Sequence, residues 1–116
     1  MTIEVTSGEA LRLWHAVHMH FVRNLEPDLS ARQMALLLTI YLEAPPHTVR
    51  GLASRLAVSK PVITRALDSM GKHSLVTRRR DESDRRNVLV QRTVHGALYL
   101  ERLGDTVRDL ASQIRR

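Results

Sequence analysis

A mainly α fold with one small β-hairpin is what this chain of 116 residues predicts. Two observations carry that expectation. Apolar residues recur every three or four positions through five separate blocks, the mark of helices with one buried face. Only after Lys72 does the period change to two, first at residues 75–78 and again in the β-branched run at 88–90.

Composition bounds the function classes. The length suits one domain, 1–116, with a single core. Hydrophobic residues make up 43% and aromatics only 3%, so the core is aliphatic and base-stacking platforms for single strands are not expected. Cysteine is absent, which removes disulfides, thiolate metal sites and cysteine nucleophiles. Neither a signal peptide nor a membrane span is evident, so the expected location is cytoplasmic, nucleoid-associated if the partner is DNA. Charge is concentrated. Between residues 50 and 92 eleven Lys or Arg stand against four acids, a block of +7 in a chain whose net charge is +6. A polyanion partner follows, nucleic acid ahead of membrane, because no basic helix with bulky apolar anchors accompanies the block.

The first helical block covers residues 7–25, with Leu11, Trp14, His18, Phe21 and Leu25 as its stripe. His15, His18 and His20 lack the further ligands a metal site needs, so packing or surface roles are expected of them. Glu26-Pro27-Asp28 interrupts the helix, since a residue before proline disfavours helical backbone. Ser30 with Gln33 then reads as a capping box, opening an almost wholly apolar helix that must stop before Pro45-Pro46.

Thr48 caps a short helix with Leu52, Ala53 and Leu56 inward, and residues 57–58 leave room for no more than a tight turn. Residues 59–72 form the next helix. Ser59 is its expected N-cap, through its hydroxyl, and Pro61 sits in the first turn, where a missing N–H costs little. Val62, Ile63, Ala66, Leu67 and Met70 make its apolar back, while Lys60, Thr64 and Arg65 make its front. A solvated surface helix has the same pattern. The short helix and tight turn before it convert the pair into a helix-turn-helix, whose second helix reads a major groove.

A charged stretch, residues 79–87, joins the two alternating runs, so the hairpin at 75–90 has the form of a wing. Arg79, Arg80, Arg85 and Arg86 make a thin basic loop suited to a narrow, negative minor groove. Surface pairing with Asp81, Glu82 and Asp84 is the plainer alternative. Thr93 can cap a last helix over 93–115, where Leu100, Leu103, Val107, Leu110 and Ile114 step three-four-three-four. The two terminal helices have more apolar face than the core at 30–92 needs, so they are expected to form a dimerisation layer with a second copy.

The segments L-S-A-R-Q-M-A-L-L (29–37), L-A-S-R-L-A-V-S-K-P-V-I-T-R-A-L-D (52–68), S-L-V-T-R (74–78) and D-E-S-D-R-R-N-V-L-V (81–90) resemble the MarR family of winged helix-turn-helix transcription regulators. The wing pattern D-x-x-D-x-R is the most specific of these. The resemblance implies a homodimer, most often a repressor, on a pseudo-palindromic duplex site. Ser59, Lys60, Pro61, Thr64 and Arg65 would then lie in the major groove, and Asp84 would orient Arg86 into the minor groove. It also implies a small aromatic effector, for which Trp14, His18, Arg32 and Tyr41 are the candidates. The chain departs from the family pattern at Gly51, usually Glu, at Ser74, usually Gly, and at Arg92, usually Leu. It is also shorter than members that carry a further C-terminal helix in the dimer interface.

No catalytic residue set, metal site or cofactor is expected, because the carboxylates fall in turns or on solvated faces and no glycine loop cradles a phosphate. Sequence-specific binding of double-stranded DNA is therefore the leading expectation. The alternative is a winged-helix protein-interaction module, or an accessory protein with nonspecific affinity for DNA.

Overall fold

A computed structural model describes residues 4–114. Five helices and three strands follow one another as α1 (Ser7–Asn24), α2 (Ala31–Leu42), β1 (His47–Thr48), α3 (Val49–Leu56), α4 (Lys60–Lys72), β2 (Val76–Arg80), β3 (Val88–Arg92) and α5 (Val94–Gln113). The mainly α class with one hairpin is present as expected. So are the helix-turn-helix and the wing. The chain divides into two compact units, one holding α1 with α5 from Leu100 onward, the other Leu29–Tyr99.

In the Leu29–Tyr99 unit each boundary has a local cause. Ser30 and Gln33 make the reciprocal capping box: Gln33 N–H donates to Ser30 Oγ at 3.1 Å and Ser30 N–H to Gln33 Oε1 at 2.8 Å. α3 starts on Thr48, whose Oγ1 accepts the Gly51 N–H at 2.9 Å. It ends on Ala57 in the left-handed region, φ 57°, with Val58 N–H returning to the Ala53 carbonyl. α5 is capped by Thr93, whose Oγ1 accepts the Gly96 N–H at 2.9 Å. The core is aliphatic, as the composition requires: Leu36, Leu37, Ile40, Leu52, Ile63, Leu67, Met70 and Leu75 are fully buried.

Two expectations need correction. The sheet has three strands rather than two, in the order β1-β3-β2, all antiparallel. β1 is only His47–Thr48, paired with Val90 and Leu89, too short to leave a period in the sequence. The hairpin also runs further than 75–90, since β3 extends to Arg92 and the tip shrinks to residues 81–87.

Arg92 shows why a cation stands at a position where leucine is usual. Its guanidinium donates to the Ile40 carbonyl at 2.8 Å and to the Glu43 carbonyl at 2.9 Å. These oxygens lie at the C-terminal end of α2, where carbonyls lack intrahelical donors and a positive charge is favoured. Ser74 also adopts the backbone its position demands, φ 59°, a region where glycine carries no steric penalty.

In the other unit, α1 opens on a second capping box, Thr6 with Glu9. Its buried residue is Val17, while Leu11 (69% exposed), Trp14 (62%) and Val22 (79%) face outward. Part of the stripe expected to be covered by a second copy, Leu11 and Trp14, is thus open in a single chain. On α5, Leu103 is buried and Leu100, Val107 and Leu110 are half-buried, as the three-four spacing requires, and Ile114, just past its end, is half-buried too. The last position of the expected range 93–115 lies outside the described residues. No helix among those described is long and apolar enough to cross a membrane.

Candidate nucleic-acid interface

α4 presents a sorted surface. Ile63, Ala66, Leu67 and Met70 are buried against the core, whereas Ser59, Lys60, Pro61, Thr64 and Arg65 are all exposed. Ser59 holds the N-cap position, but its hydroxyl makes no capping bond. The physical reason lies next door. Pro61 at N2 has no N–H to offer, so the usual acceptor role at the N-cap loses one of its two donors. The helix start is instead held by the backbone, Ile63 N–H to the Ser59 carbonyl at 3.3 Å, which leaves the Ser59 hydroxyl free for an outside partner. A front of hydroxyl, ammonium, hydroxyl and guanidinium offers donors to phosphates and to base edges.

The wing is ordered by its own acids. Asp81 Oδ1 accepts the Ser83 N–H at 2.9 Å and the Ser83 hydroxyl at 2.7 Å; these bonds, the hydroxyl foremost, hold the Asp81 carboxyl below its ordinary range. The Asp81 N–H donates to the Asn87 carbonyl and the Asn87 N–H to the Asp84 carbonyl, closing the loop. At the tip Asp84 takes Arg86 in a fork, Nε to Oδ1 at 3.1 Å and Nη2 to Oδ2 at 3.2 Å, with the Arg86 N–H also on Oδ1. The guanidinium bonds of Arg86 are the main cause of a lowered Asp84 pKa. The Arg86 side chain nevertheless stays 82% exposed, so the pair aims the cation outward without consuming it. Of the two alternatives the sequence offers, surface pairing is present at Arg86, and it leaves the guanidinium exposed.

Strand alternation separates the wing's remaining cations. Val76, Arg78 and Arg80 share one face of β2 and Arg79 takes the other. Arg80 Nη1 donates to the Arg85 carbonyl at 2.7 Å, bracing the tip from inside. Arg79 instead lines a hollow of about 480 Å³ with Pro45, Pro46, Leu89 and Gln91. Arg79 and Arg80, neighbours in sequence, therefore have different surroundings. Arg78 reaches across to Asp68 on α4 at 2.6 Å, a link that no spacing rule announces.

The effector candidates have separate environments. Trp14 and His18 meet edge-on along α1, ring centroids 4.4 Å apart, with His18 Nδ1 2.9 Å from the Trp14 carbonyl oxygen. The Tyr41 hydroxyl donates to the Leu75 carbonyl at 2.7 Å and accepts the Thr93 N–H at 2.9 Å, so it is engaged by the fold. Arg32 shares a hollow of about 200 Å³ with Ser30, Gln33 and Arg65. Among the described residues no three His, Cys, Asp or Glu side chains are grouped to hold a metal ion.

Comparison with known proteins places this arrangement. A family model described as "MarR family" matches residues 29–88, just over half of the chain. The organic hydroperoxide resistance transcriptional regulator of Bacillus subtilis (strain 168) is 33% identical over 81 residues, covering 67% of this chain and 55% of the relative. The chain thus spans about half the length of that protein. Among solved structures, RV1404 from Mycobacterium tuberculosis superposes with a TM-score of 0.78 at 21% identity, over 98% of this chain and 82% of the other. A point mutant of MarR from E. coli, solved with operator DNA, gives 0.69 at 26% identity, over 92% and 74%. The elements found above are those of this group, and the chain belongs to the MarR family.

Proposed function

We propose that this protein binds double-stranded DNA as a sequence-specific transcription regulator, a repressor, acting as a homodimer on a pseudo-palindromic site in the cytoplasm. One α4 would enter the major groove of each half-site, with Ser59, Lys60, Thr64 and Arg65 facing the duplex. Arg86, aimed by Asp84, would enter the adjacent minor groove. The observation that carries this reading is the pairing of a wholly exposed Ser-Lys-Thr-Arg front on α4 with a hydrogen-bonded wing whose arginine is held outward. Supporting it, the E. coli relative was solved on operator DNA, and MepR from S. aureus was solved as a DNA complex. The homodimer is supported by α1, which leaves Leu11, Trp14 and Val22 exposed in one chain. Bare apolar area of that kind is costly in water.

Selection of bound duplexes from a random pool, with the mass of the protein measured in parallel, tests the proposal. A palindromic consensus and a dimer mass are expected. Enrichment of no sequence would reject specific recognition in favour of a nonspecific or protein-binding role, and a monomer mass would reject the two-half-site arrangement.

A further inference from the structure

The wing and the recognition helix belong to different elements of the sequence, yet they must meet the same duplex in two grooves at once. Their relative angle therefore matters as much as either surface. Among the described residues, the side-chain hydrogen bond that joins them is Arg78 Nη2 to Asp68 Oδ1 at 2.6 Å. Asp68 is on α4 one turn beyond Arg65, and Arg78 sits mid-strand in β2, opposite Val90. From Arg78 the constraint continues outward. Arg80, on the same face of β2, holds the Arg85 carbonyl, and Asp84 holds Arg86 beside it. Each link is charge-assisted, and the first two are short, at 2.6 and 2.7 Å, so α4 is tied through β2 to the loop that carries Arg86.

We propose that Asp68 is a positioning residue for DNA recognition: through Arg78 it sets the angle between α4 and the wing, so that major- and minor-groove contacts come into register together. This inference rests on the DNA-binding reading above. The pair is too exposed to supply much stability, with side chains 33% and 54% accessible. Its effect is geometric. A wing free to swing would still reach a phosphate somewhere but would lose orientational entropy in placing Arg86 in one groove. A carboxylate on the exposed face of α4 would otherwise only repel the backbone of the duplex. Pairing with Arg78 keeps that repulsion small while drawing rigidity from the charge.

The chain has no native cysteine, so nitroxide labels can be placed cleanly with Lys72→Cys on α4 and Glu82→Cys at the wing tip. Pulsed electron–electron distances in the free protein then report the angle without any DNA. Asp68→Asn is expected to broaden the distance distribution. On a selected duplex it should weaken minor-groove protection by the wing while major-groove interference at α4 persists, with affinity falling about three- to tenfold. The exchanged pair Asp68→Arg with Arg78→Asp should restore a narrow distribution. An unchanged width in Asp68→Asn would overturn the proposal, as would an exchanged pair that stays broad. Affinity that rises uniformly in Asp68→Asn would also overturn it, since Asp68 would then be only a repulsive charge. A wild-type chain that protected no duplex would reject the DNA reading itself, and the distances in the free protein would still decide whether the strut exists.

Discussion

The Tyr41 hydroxyl occupies the space a side chain at residue 96 would need. A Cβ built on Gly96 collides with that hydroxyl and with the Leu75 carbonyl that receives its proton. Around this point the end of α2, the start of the wing and the first turn of α5 are drawn together, because the same hydroxyl accepts the Thr93 N–H and Thr93 Oγ1 donates to the Ser74 carbonyl. Gly96→Ala is expected to destabilise the protein by about 1–3 kcal/mol, the cost of overpacking a site bounded by backbone. Tyr41→Phe should cost about 1–3 kcal/mol through the half-buried Thr93 N–H it leaves without an acceptor. Urea denaturation monitored by circular dichroism checks both, and a neutral Gly96→Ala would refute the close approach.

Ser74 predicts a change of the opposite sign. It holds φ 59° although it has a Cβ, and its exposed side chain makes no hydrogen bond among the described residues. A non-glycine residue in this region carries about 1–2 kcal/mol of strain, while glycine costs about 0.5–1 kcal/mol in unfolded-chain entropy. Ser74→Gly should therefore raise stability by roughly 0.5–1 kcal/mol and the Tm by a few degrees. Ala57→Gly, at φ 57° on the C-cap of α3, should move the same way. Calorimetry distinguishes this from a loss, which would mean that the entropy term dominates.

On DNA, three substitutions separate three roles. Arg65→Ala is expected to weaken a selected site by about 1–3 kcal/mol and to relax base preference, as loss of a major-groove reader does. Arg86→Ala should lower affinity and reduce the salt slope by about one, as loss of one phosphate-proximal cation does. Asp84→Asn is the sharpest of the three. If Asp84 serves to aim Arg86, binding weakens although a negative charge has been removed near a polyanion; if it only repels the duplex, binding tightens. Fluorescence anisotropy at two or more salt concentrations resolves these cases.

Acid should act through the Glu43–Arg55 fork, Arg55 Nε to Oε1 at 3.0 Å and Nη2 to Oε2 at 2.7 Å. The hydrogen bonds from Arg55 hold the Glu43 carboxyl below its ordinary value. A carboxyl with a depressed folded pKa contributes stability that is fully present above its unfolded value, about 4.3, and is lost as pH falls through the folded value. Glu43→Gln should thus melt earlier than wild type at about pH 6–7, and the gap should close below about pH 4. Being at the surface, the effect is small and shrinks further with added salt. A gap that stays constant down to about pH 3 would remove the ion pair as its cause.

Much of this protein is legible in its sequence because the signals are local. Helical periodicity, the caps at Ser30 and Thr48 and the switch of period after Lys72 depend on neighbours a few residues apart, and these locate the helices and the wing. The exposed front of α4 follows from the same spacing. What depends on distant neighbours stays silent until the chain is folded. β1 is two residues long and exists only because β3 pairs with it. Arg92 reads as an odd replacement for leucine, and its role emerges from carbonyls 49 and 52 residues away. Ser59 is expected to cap with its hydroxyl, whereas Pro61 leaves that hydroxyl open. The link from Asp68 to Arg78 joins two ordinary surface charges that become partners only when α4 and β2 are laid side by side. Periodicity and capping are short-range physics and can be read from order alone. Which far-apart charges meet is set by packing, and that the tertiary structure alone decided.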